Sequence, residues 1–353
     1  MNHIRLSLLM LLLALGSPAS AYELPWWQQP SHQKTALGIG LAATASYLIY
    51  ARLARVAAQR ATVPEQLEQE HKEVAAKNGE QQEDRWIIFD LGDVLLTTNG
   101  FAALREIGLS KFLAYAQEIG TIFELGTRFR RDALFPFLNS LAPRDPNEVN
   151  ACDSHGNRLP QIMCNWLKGS VSNEQAAQFI ENGAEQYAFT SQAEKELVVA
   201  TATMMFTPEK LINTFDLAPQ ANELVARYKD RGIRCAILSN MDPQVTRLLQ
   251  AKFPDFFALF DRVIASGDHG ALKPGRSIYE KLLGVIQTPS ARCAFVDDRP
   301  ENIEMAIDVG IYGILCPARD TWLPWKKVPD LLYIQEMLDH WLDHSAQSVS
   351  AHA

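Results

Sequence analysis

The chain has 353 residues, of which 47% are hydrophobic, and its formal net charge is −8. This length exceeds that of one small domain and allows a large core with additional segments. The negative charge argues against a nucleic acid as a partner, because phosphate backbones attract basic surfaces. The five cysteines include no CxxC pair and are too sparse for a disulfide framework, although spacing leaves open a pair between Cys152 and Cys164.

The N-terminal segment lacks the pattern of a globular domain. Residues 1–21 resemble a secretory signal peptide, with Arg5 before an apolar stretch and an A-x-A ending at Ala21. An uncleaved anchor is the alternative interpretation. Residues 35–51 carry no charge and have the shortest length, about 17 residues, that spans a bilayer as a helix.

Arginines follow this second apolar stretch at Arg52, Arg55 and Arg60, and they favour a cytoplasmic location for the segment after it. Residues 52–85 are polar and predict a flexible or helical tether. We therefore expect attachment to a membrane through the N-terminal region, with the globular domain on the cytoplasmic side. An exported protein, in which residues 35–51 form an amphipathic or buried helix, is the alternative.

From Trp86 onward, short apolar runs alternate with helical patterns. The runs predict five strands: WIIFDLG (86–92), RCAILSN (234–240), RVIASGD (262–268), CAFVDD (293–298) and YGILCP (312–317). Near-continuous apolar strands are typical of a sheet that helices cover on both faces. The alternation predicts an α/β fold with a Rossmann-like, doubly wound parallel sheet.

Residues 98–216 interrupt this alternation with mainly helical patterns. Ser172, followed by Gln175 three residues later, predicts a capping box at one helix start. Residues 142–160 predict a long loop. The predicted division is a core at 86–97 and 217–330, an inserted helical domain at 98–216, and a C-terminal helix and tail at 331–353.

Polar side chains gather where the predicted strands end. They are Asp90, Ser239, Asn240, Asp297 and Asp298, with Lys273 shortly after the third strand. The carboxyl ends of parallel strands share one edge of the sheet, where open α/β folds bind ligands. Clustered carboxylates repel one another unless a cation joins them, and oxygen ligands suit Mg²⁺. Because a carboxylate can also act as a nucleophile, the pattern indicates Mg²⁺-dependent hydrolysis of a phosphate ester.

Four segments, in this order, resemble the motifs of the haloacid dehalogenase-like hydrolase superfamily: IIFDLGDVLL, ILSN, LKPGRSIYEKLL and FVDDRPENIEMAIDVG. The resemblance covers about residues 86–318 and is greatest to a phosphatase-like branch with a helical cap after the first strand. Within the insertion, KGSVSNEQ resembles a stretch of those caps. The resemblance implies a Rossmann-like core, an α-helical cap, Mg²⁺ as cofactor and a small phosphorylated substrate.

The resemblance also implies roles for individual residues. Asp90 would be the nucleophile, and Lys273 would orient the nucleophile and the phosphate. Ser239, with Asn240 beside it, would bind the phosphate. The metal would be held by Asp90, Asp298, the backbone carbonyl of Gly92 and, directly or through water, Asp297, with Asn302 shaping the site.

One position departs from the family pattern. The second acid of the usual Asp-x-Asp, which protonates the leaving group, is replaced by Gly92. We expect Gly92 to permit a tight backbone path toward the metal. Asp93 is expected to point elsewhere and to cap the following turn. Without the acid, a good leaving group is favoured, such as that of an acyl phosphate or of a sugar phosphorylated at its anomeric carbon.

We predict a Mg²⁺-dependent phosphatase that acts on a small phosphorylated metabolite through an aspartyl-phosphate. A dehalogenase, in which the same aspartate attacks carbon, is one alternative. A degenerate domain that binds a phosphorylated ligand or a partner protein is the other, supported by Gly92. Arg128, Arg130 and Arg131 are interpreted as a solvent-exposed helix face. The sequence indicates no particular oligomeric state.

Overall fold

The computed structural model of this protein describes four stretches of the chain: 85–119, 128–153, 156–320 and 327–350. The predicted signal peptide (1–21), the predicted membrane helix (35–51) and all but the last residue of the predicted tether (52–85) lie outside them. Within the described stretches, no helix combines the length and the apolar character that crossing a bilayer requires.

The central feature of the core is a five-stranded parallel sheet. The described strands are, in chain order, β1 (Trp86–Phe89), β2 (Leu96–Thr98), β3 (Phe215–Leu217), β4 (Arg234–Ser239), β5 (Arg262–Ala265), β6 (Cys293–Asp297), β7 (Tyr312–Leu315), β8 (Ala318–Asp320) and β9 (Lys327–Pro329). The sheet has the order β5-β4-β1-β6-β7. In it, Phe89 of β1 aligns with Ile237 of β4 and with Val296 of β6. The predicted α/β fold with a Rossmann-like parallel sheet is confirmed.

Helices surround this sheet and fill the insertion. The described α-helices are α1 (Gly100–Ile107), α2 (Leu109–Ile119), α3 (Phe135–Ser140), α4 (Gln161–Leu167), α5 (Asn173–Gln186), α6 (Gln192–Met205), α7 (Pro208–Leu211), α8 (Ala221–Asp230), α9 (Pro243–Lys252), α10 (Pro254–Phe257), α11 (Ser266–His269), α12 (Arg276–Ile286), α13 (Pro300–Asp308) and α14 (Leu331–Ser350). A π-helical turn, Arg130–Leu134, precedes α3, and 3₁₀ turns occupy Ile212–Thr214 and Ser290–Arg292.

Alternate residues of the sheet strands enter two different hydrophobic cores. Ile87 and Phe89 of β1 pack into the core that α8 and α14 help to form. Ile88, between them, packs into the core formed with α12 and α13. All three side chains are fully buried, and each such burial stabilises the fold by roughly 1.5–3 kcal/mol. This burial on both faces explains why the strand sequences are continuously apolar.

The helices α1 to α7 lie between β2 and β3. These two strands pair in antiparallel fashion, with Leu96 aligned with Leu217, so both connections to the insertion pass through one two-stranded ribbon. The ribbon was not predicted, because three-residue strands are too short to give a periodic pattern. The predicted capping box of α5 is present: Ser172 Oγ accepts from the backbone N–H of Gln175, whose side chain accepts from Ser172 N.

The predicted loop at 142–160 contains a small hairpin. Within it, the backbone N–H of Leu159 donates to the carbonyl of Ala151 at 2.9 Å, and Cys152 pairs with Arg158. We term residues 151–153 and 156–159 the insertion hairpin. All five cysteines are free, so no disulfide joins Cys152 to Cys164.

The insertion contacts the core closely at the C-terminal end of α4. The hydroxyl of Ser266, at the start of α11, donates to the carbonyl of Leu167 at 2.6 Å and accepts from the backbone N–H of Met241 at 2.9 Å. Gly169 follows in the chain with a φ of +71°, and a Cβ there would lie 2.6 Å from the carbonyl oxygen of Gly267. Only glycine therefore allows both this backbone conformation and this approach of two main chains.

The substitution Gly169→Ala is expected to destabilise the protein by at least about 2 kcal/mol, because it adds a steric clash to backbone strain. The matched control is Gly270→Ala, where φ is also positive but a Cβ would meet nothing within 4 Å. The control should lose only about 1 kcal/mol. Urea denaturation measures both, and equal losses would contradict the close approach described here.

Candidate active site

Asp90 lies where the central strand β1 ends. Its backbone N–H donates to the carbonyl of Val296 at 2.9 Å and so extends the pairing with β6. The residue is 8% exposed. Its Oδ1 atom lies 2.9 Å from Lys273 Nζ as an ion pair, yet no donor meets this buried oxygen in hydrogen-bond geometry. One oxygen of the carboxylate is thus buried and close to a cation, with no donor aligned for a hydrogen bond.

Lys273 is a fully buried ammonium placed between two carboxylates. Its Nζ lies 2.9 Å from Asp90 and 2.7 Å from Asp297, and it also donates to the carbonyl of Leu238 at 2.8 Å. Burial alone would lower the pKa of Lys273, but the charges of Asp297 and Asp90 outweigh it and raise this pKa. The ammonium therefore stays charged and holds the two carboxylates apart.

Asn240, predicted to help bind the phosphate, has another role in this geometry. Its amide accepts from the backbone N–H of Lys273 at 2.8 Å and donates to the carbonyl of Lys273 at 2.9 Å. Both hydrogen-bonding ends of the side chain are therefore used to hold the main chain of Lys273. One N–H of the amide and the main chain of Asn240 are left to contact a phosphate.

Asp297 is completely buried and accepts hydrogen bonds from three residues. Lys273 donates at 2.7 Å, the backbone N–H of Arg299 at 2.8 Å, and Nδ2 of Asn302 at 2.9 and 3.0 Å. Burial raises the pKa of Asp297 to about 6, although Lys273 opposes this rise. With a pKa of about 6 and three donor residues around it, the carboxylate is ionised near neutral pH, although the nearby Asp90 opposes its charge. This geometry favours a role in positioning Lys273 over direct contact with a metal.

Asp298, the next residue, is held less tightly. Its side chain is 15% exposed, and the guanidinium of Arg299 lies 3.3 Å away. Burial, together with the carboxylates of Asp90 and Asp297, raises the pKa of Asp298 to about 7 against the lowering effect of Arg299. The carboxylate is therefore in an environment that disfavours its charge.

The site residues converge from four strands onto one edge of the sheet. Carboxylate oxygens of Asp90, Asp297 and Asp298 all lie within 4.8 Å of one another. Ser239 ends β4 and is 4% exposed. Asn302, in the first turn of α13, is buried and bonded to Asp297. The structure thus brings together the side chains of Asp90, Asn240, Lys273, Asp297, Asp298 and Asn302, and it places Ser239 at the end of the neighbouring strand β4.

Gly92 does not need the conformational freedom that we expected it to supply. Its φ lies outside the left-handed region, and a Cβ at this position would meet nothing within 4 Å. The left-handed conformation belongs instead to Asp93, with φ +56°, which aspartate tolerates better than most residues. The expectation that Gly92 permits a tight turn is therefore wrong, and the position is open to a side chain.

Two arginines were also interpreted incompletely from the sequence. Arg130 is not simply a solvent-exposed residue, because its Nη1 donates to Asp153 of the insertion hairpin at 2.9 Å. Arg299 received no role, although it directly follows Asp297 and Asp298 and contacts the second of these acids. The signal for Arg299 was present in the sequence: a cation immediately after two acids that the fold buries.

Comparison with known proteins gives a family for this arrangement. The family model of haloacid dehalogenase-like hydrolases matches residues 85–310. A sesquiterpene phosphatase of Aspergillus oryzae is 33% identical over 101 residues, which are 28% of this chain and 50% of that protein. Haloacid dehalogenase-like hydrolase domain-containing protein 3 of Xenopus laevis is 24% identical over 188 residues, which are 53% of this chain and 74% of that protein.

A solved structure with a similar fold is that of a haloacid dehalogenase family enzyme from Bacteroides thetaiotaomicron in complex with magnesium and inorganic phosphate. It is 14% identical, with a TM-score of 0.41, and the match covers 68% of this chain and 98% of that one. The matched region spans only half the length of the sesquiterpene phosphatase. The family match itself covers more than half of the present chain, and the protein belongs to the haloacid dehalogenase-like hydrolases.

Proposed function

We propose that this hydrolase is a Mg²⁺-dependent phosphatase that uses Asp90 as its nucleophile. The observation that carries the proposal is the buried Oδ1 of Asp90, which lies 2.9 Å from the Lys273 ammonium and meets no donor in hydrogen-bond geometry. An oxygen at this strand end, beside a cation, is placed to act as a nucleophile. Asp297, Asn240 and the carbonyl of Leu238 hold Lys273 where it neutralises charge that develops during that attack.

In the first step, the Asp90 carboxylate attacks phosphorus and the bond from phosphorus to the leaving oxygen breaks. That oxygen takes the bonding electrons and a proton from water, because Gly92 offers no acid. Ser239 would bind a phosphoryl oxygen. In the second step, water attacks the phosphorus of the aspartyl-phosphate and loses a proton to solvent, so that inorganic phosphate leaves and the carboxylate is restored.

The chemistry of the carboxylates fits a divalent cation. Asp90 and Asp298 present oxygen ligands, the donor type that Mg²⁺ prefers, and burial leaves Asp298 with a raised pKa that a cation would relieve. Mg²⁺ bound by these residues, with the carbonyl of Gly92 as a further candidate ligand, would supply charge neutralisation for the phosphoryl group. The chain's own residues then fix the position of the nucleophile and the ammonium.

The substrate class that we propose is a small phosphate monoester or acyl phosphate with a good leaving group. Gly92 supports it, because no carboxyl group stands where the family's general acid is expected. Since one relative is named a sesquiterpene phosphatase, a terpenyl monophosphate belongs in the panel of compounds to be tested, beside sugar and acyl phosphates. The predicted membrane attachment and cytoplasmic placement of the domain likewise stay proposals.

The first test is hydrolysis of p-nitrophenyl phosphate by the full chain. We expect turnover with Mg²⁺, and a loss of at least about a thousandfold in Asp90→Asn. Chelation of divalent cations with EDTA should abolish turnover as well. Asp255→Asn, in the short helix α10, is the control for an ordinary carboxylate and should keep wild-type activity. Activity that survives in Asp90→Asn would overturn the proposal, and halide release from haloacids without Mg²⁺ would favour a dehalogenase instead.

A second test uses the open position at Gly92. In Gly92→Asp, a carboxyl group would stand where an acid can protonate the leaving oxygen, so hydrolysis of an alkyl phosphate should rise by at least about tenfold. Hydrolysis of p-nitrophenyl phosphate, whose leaving group needs no proton, should change little. Gly92→Asn has the same shape without the acid and should show no such gain. If both variants respond alike, the effect is steric and the missing acid does not limit the wild type.

A third test follows from the pKa values. In the metal-free folded protein, Asp298 and Asp297 have pKa values of about 7 and about 6, whereas an unfolded chain gives an aspartate about 4. Between these limits the folded state holds protons that the unfolded state has released. These two groups therefore lower the free energy of unfolding as the pH rises from about 4 to about 7.

Asp298→Asn should remove much of this dependence. Near pH 8 and in EDTA, its free energy of unfolding should exceed that of the wild type by at least about 1 kcal/mol, while the two proteins should be similar near pH 4. Urea denaturation at both pH values measures this difference. Asp308→Asn changes an exposed carboxylate and should follow the wild type. An equal difference between Asp298→Asn and the wild type at both pH values would contradict the buried environment of Asp298.

A further inference from the structure

Arg299 lies between the active site and the insertion. Its backbone N–H donates to Asp297 at 2.8 Å, and its Nε lies 3.3 Å from Asp298 Oδ2. The Nη1 atom of the same guanidinium donates to the carbonyl oxygen of Asp153, in the insertion hairpin. The side chain is 18% exposed, so it is enclosed between these partners rather than extended into solvent.

Asp153, the partner of Arg299 in the insertion, is itself held by polar contacts. The carboxylate of Asp153 is 9% exposed and accepts from Arg130 Nη1 at 2.9 Å, in the π-helical turn of the insertion. It also accepts from the backbone N–H of Asn157 at 2.9 Å, across the hairpin. The side chain of Asp153 therefore bonds within the insertion, and its carbonyl accepts both from Arg299 of the core and from the backbone N–H of Gly156 in the hairpin. A continuous set of contacts runs from Asp298 through Arg299 and Asp153 to Arg130.

We propose that Arg299 is a positioning residue that couples the metal-binding acid Asp298 to the insertion hairpin. It has two separable effects: its charge offsets that of Asp298, and its two-sided guanidinium holds the hairpin against the core. The second effect needs the forked geometry of arginine, because an ammonium is a compact charge that does not span two partners in the same way. The proposal rests on the metal site of the proposed function.

The charges around the site predict how Arg299 affects the binding of Mg²⁺. Three carboxylates lie within 4.8 Å of one another, and the cations next to them are Lys273 and Arg299. Because Arg299 contacts Asp298 while Lys273 contacts the other two, Arg299 is the cation that a divalent metal would face at Asp298. Removing its charge should therefore strengthen the attraction of the site for Mg²⁺.

Cys152 makes the second effect measurable without turnover. It is the one half-buried cysteine of the five, and the other four are buried. It lies in the hairpin next to Asp153, so its reaction with a chromogenic disulfide reagent reports opening of the hairpin. Cys152→Ala should remove this phase of labelling and so identify it.

The decisive variant is Arg299→Lys in the full chain. The positive charge near Cys152 is retained, so an acceleration does not come from a change in the charge that faces the thiolate. We expect labelling of Cys152 to be at least about fivefold faster than in the wild type, and Arg130→Gln, which releases the other side of Asp153, to be faster too. Arg227→Lys makes the same change at an exposed pair with Asp339 and should label at the wild-type rate.

The second arm measures binding of Mg²⁺ by isothermal titration calorimetry. Arg299→Gln should bind Mg²⁺ about fivefold more tightly than the wild type, and Arg299→Lys should bind it with wild-type affinity. A structural defect alone would weaken binding in both variants. Arg299→Lys is thus expected to keep the wild-type Mg²⁺ affinity but to show the faster labelling of Cys152.

Two results would overturn the proposal: wild-type labelling of Cys152 in Arg299→Lys, or equal or weaker Mg²⁺ binding in Arg299→Gln. Neither readout depends on hydrolysis, so the outcome is distinct from that of the proposed function. If the chain binds Mg²⁺ and shows both effects but hydrolyses no phosphate, Arg299 keeps its role and the proposed activity fails. If the wild type binds no Mg²⁺, both the proposed metal site and the charge effect of Arg299 are refuted.

Discussion

The ammonium of Lys273 lies buried between two carboxylates that would otherwise repel each other at the edge of the central sheet. At 2.9 Å from Asp90 and 2.7 Å from Asp297, it is the charge that offsets both acids inside the protein. Breaking a buried pair by removing one partner typically costs about 3–5 kcal/mol, because a buried charge is left without compensation. Much of the surrounding polar structure can be understood as support for this one group.

That support is distributed over several strands and helices. Asn240 holds the main chain of Lys273, the carbonyl of Leu238 accepts from its side chain, and Asn302 fixes the carboxylate of Asp297. The parallel register explains why these groups meet: β1 lies between β4 and β6, and all three strands run out at the same edge. The apolar cores on both faces of the sheet support the strands that carry the site.

Sequence reasoning predicted the parts of this arrangement that leave a local pattern. The continuous apolar runs predicted the sheet strands, because both sheet faces are buried, and the polar residues at their ends predicted which side chains converge. It could not predict that the Asn240 amide is used for Lys273, since that depends on where the loop after β5 returns. The β2–β3 ribbon was too short to detect, and the partnership of Arg299 with Asp153 joins residues separated by 146 positions. Long-range contacts of this kind leave no periodic signal.

The open space at Gly92 has a consequence for how the protein could change. A Cβ there meets nothing within 4 Å, and the backbone does not require glycine. Every glycine codon becomes an aspartate or a glutamate codon by exchange of a single middle base. A carboxyl group at the leaving-group side of the site is therefore one mutational step away and structurally tolerated. Under the proposed phosphatase activity, the range of leaving groups is thus open to natural selection without any rebuilding of the core.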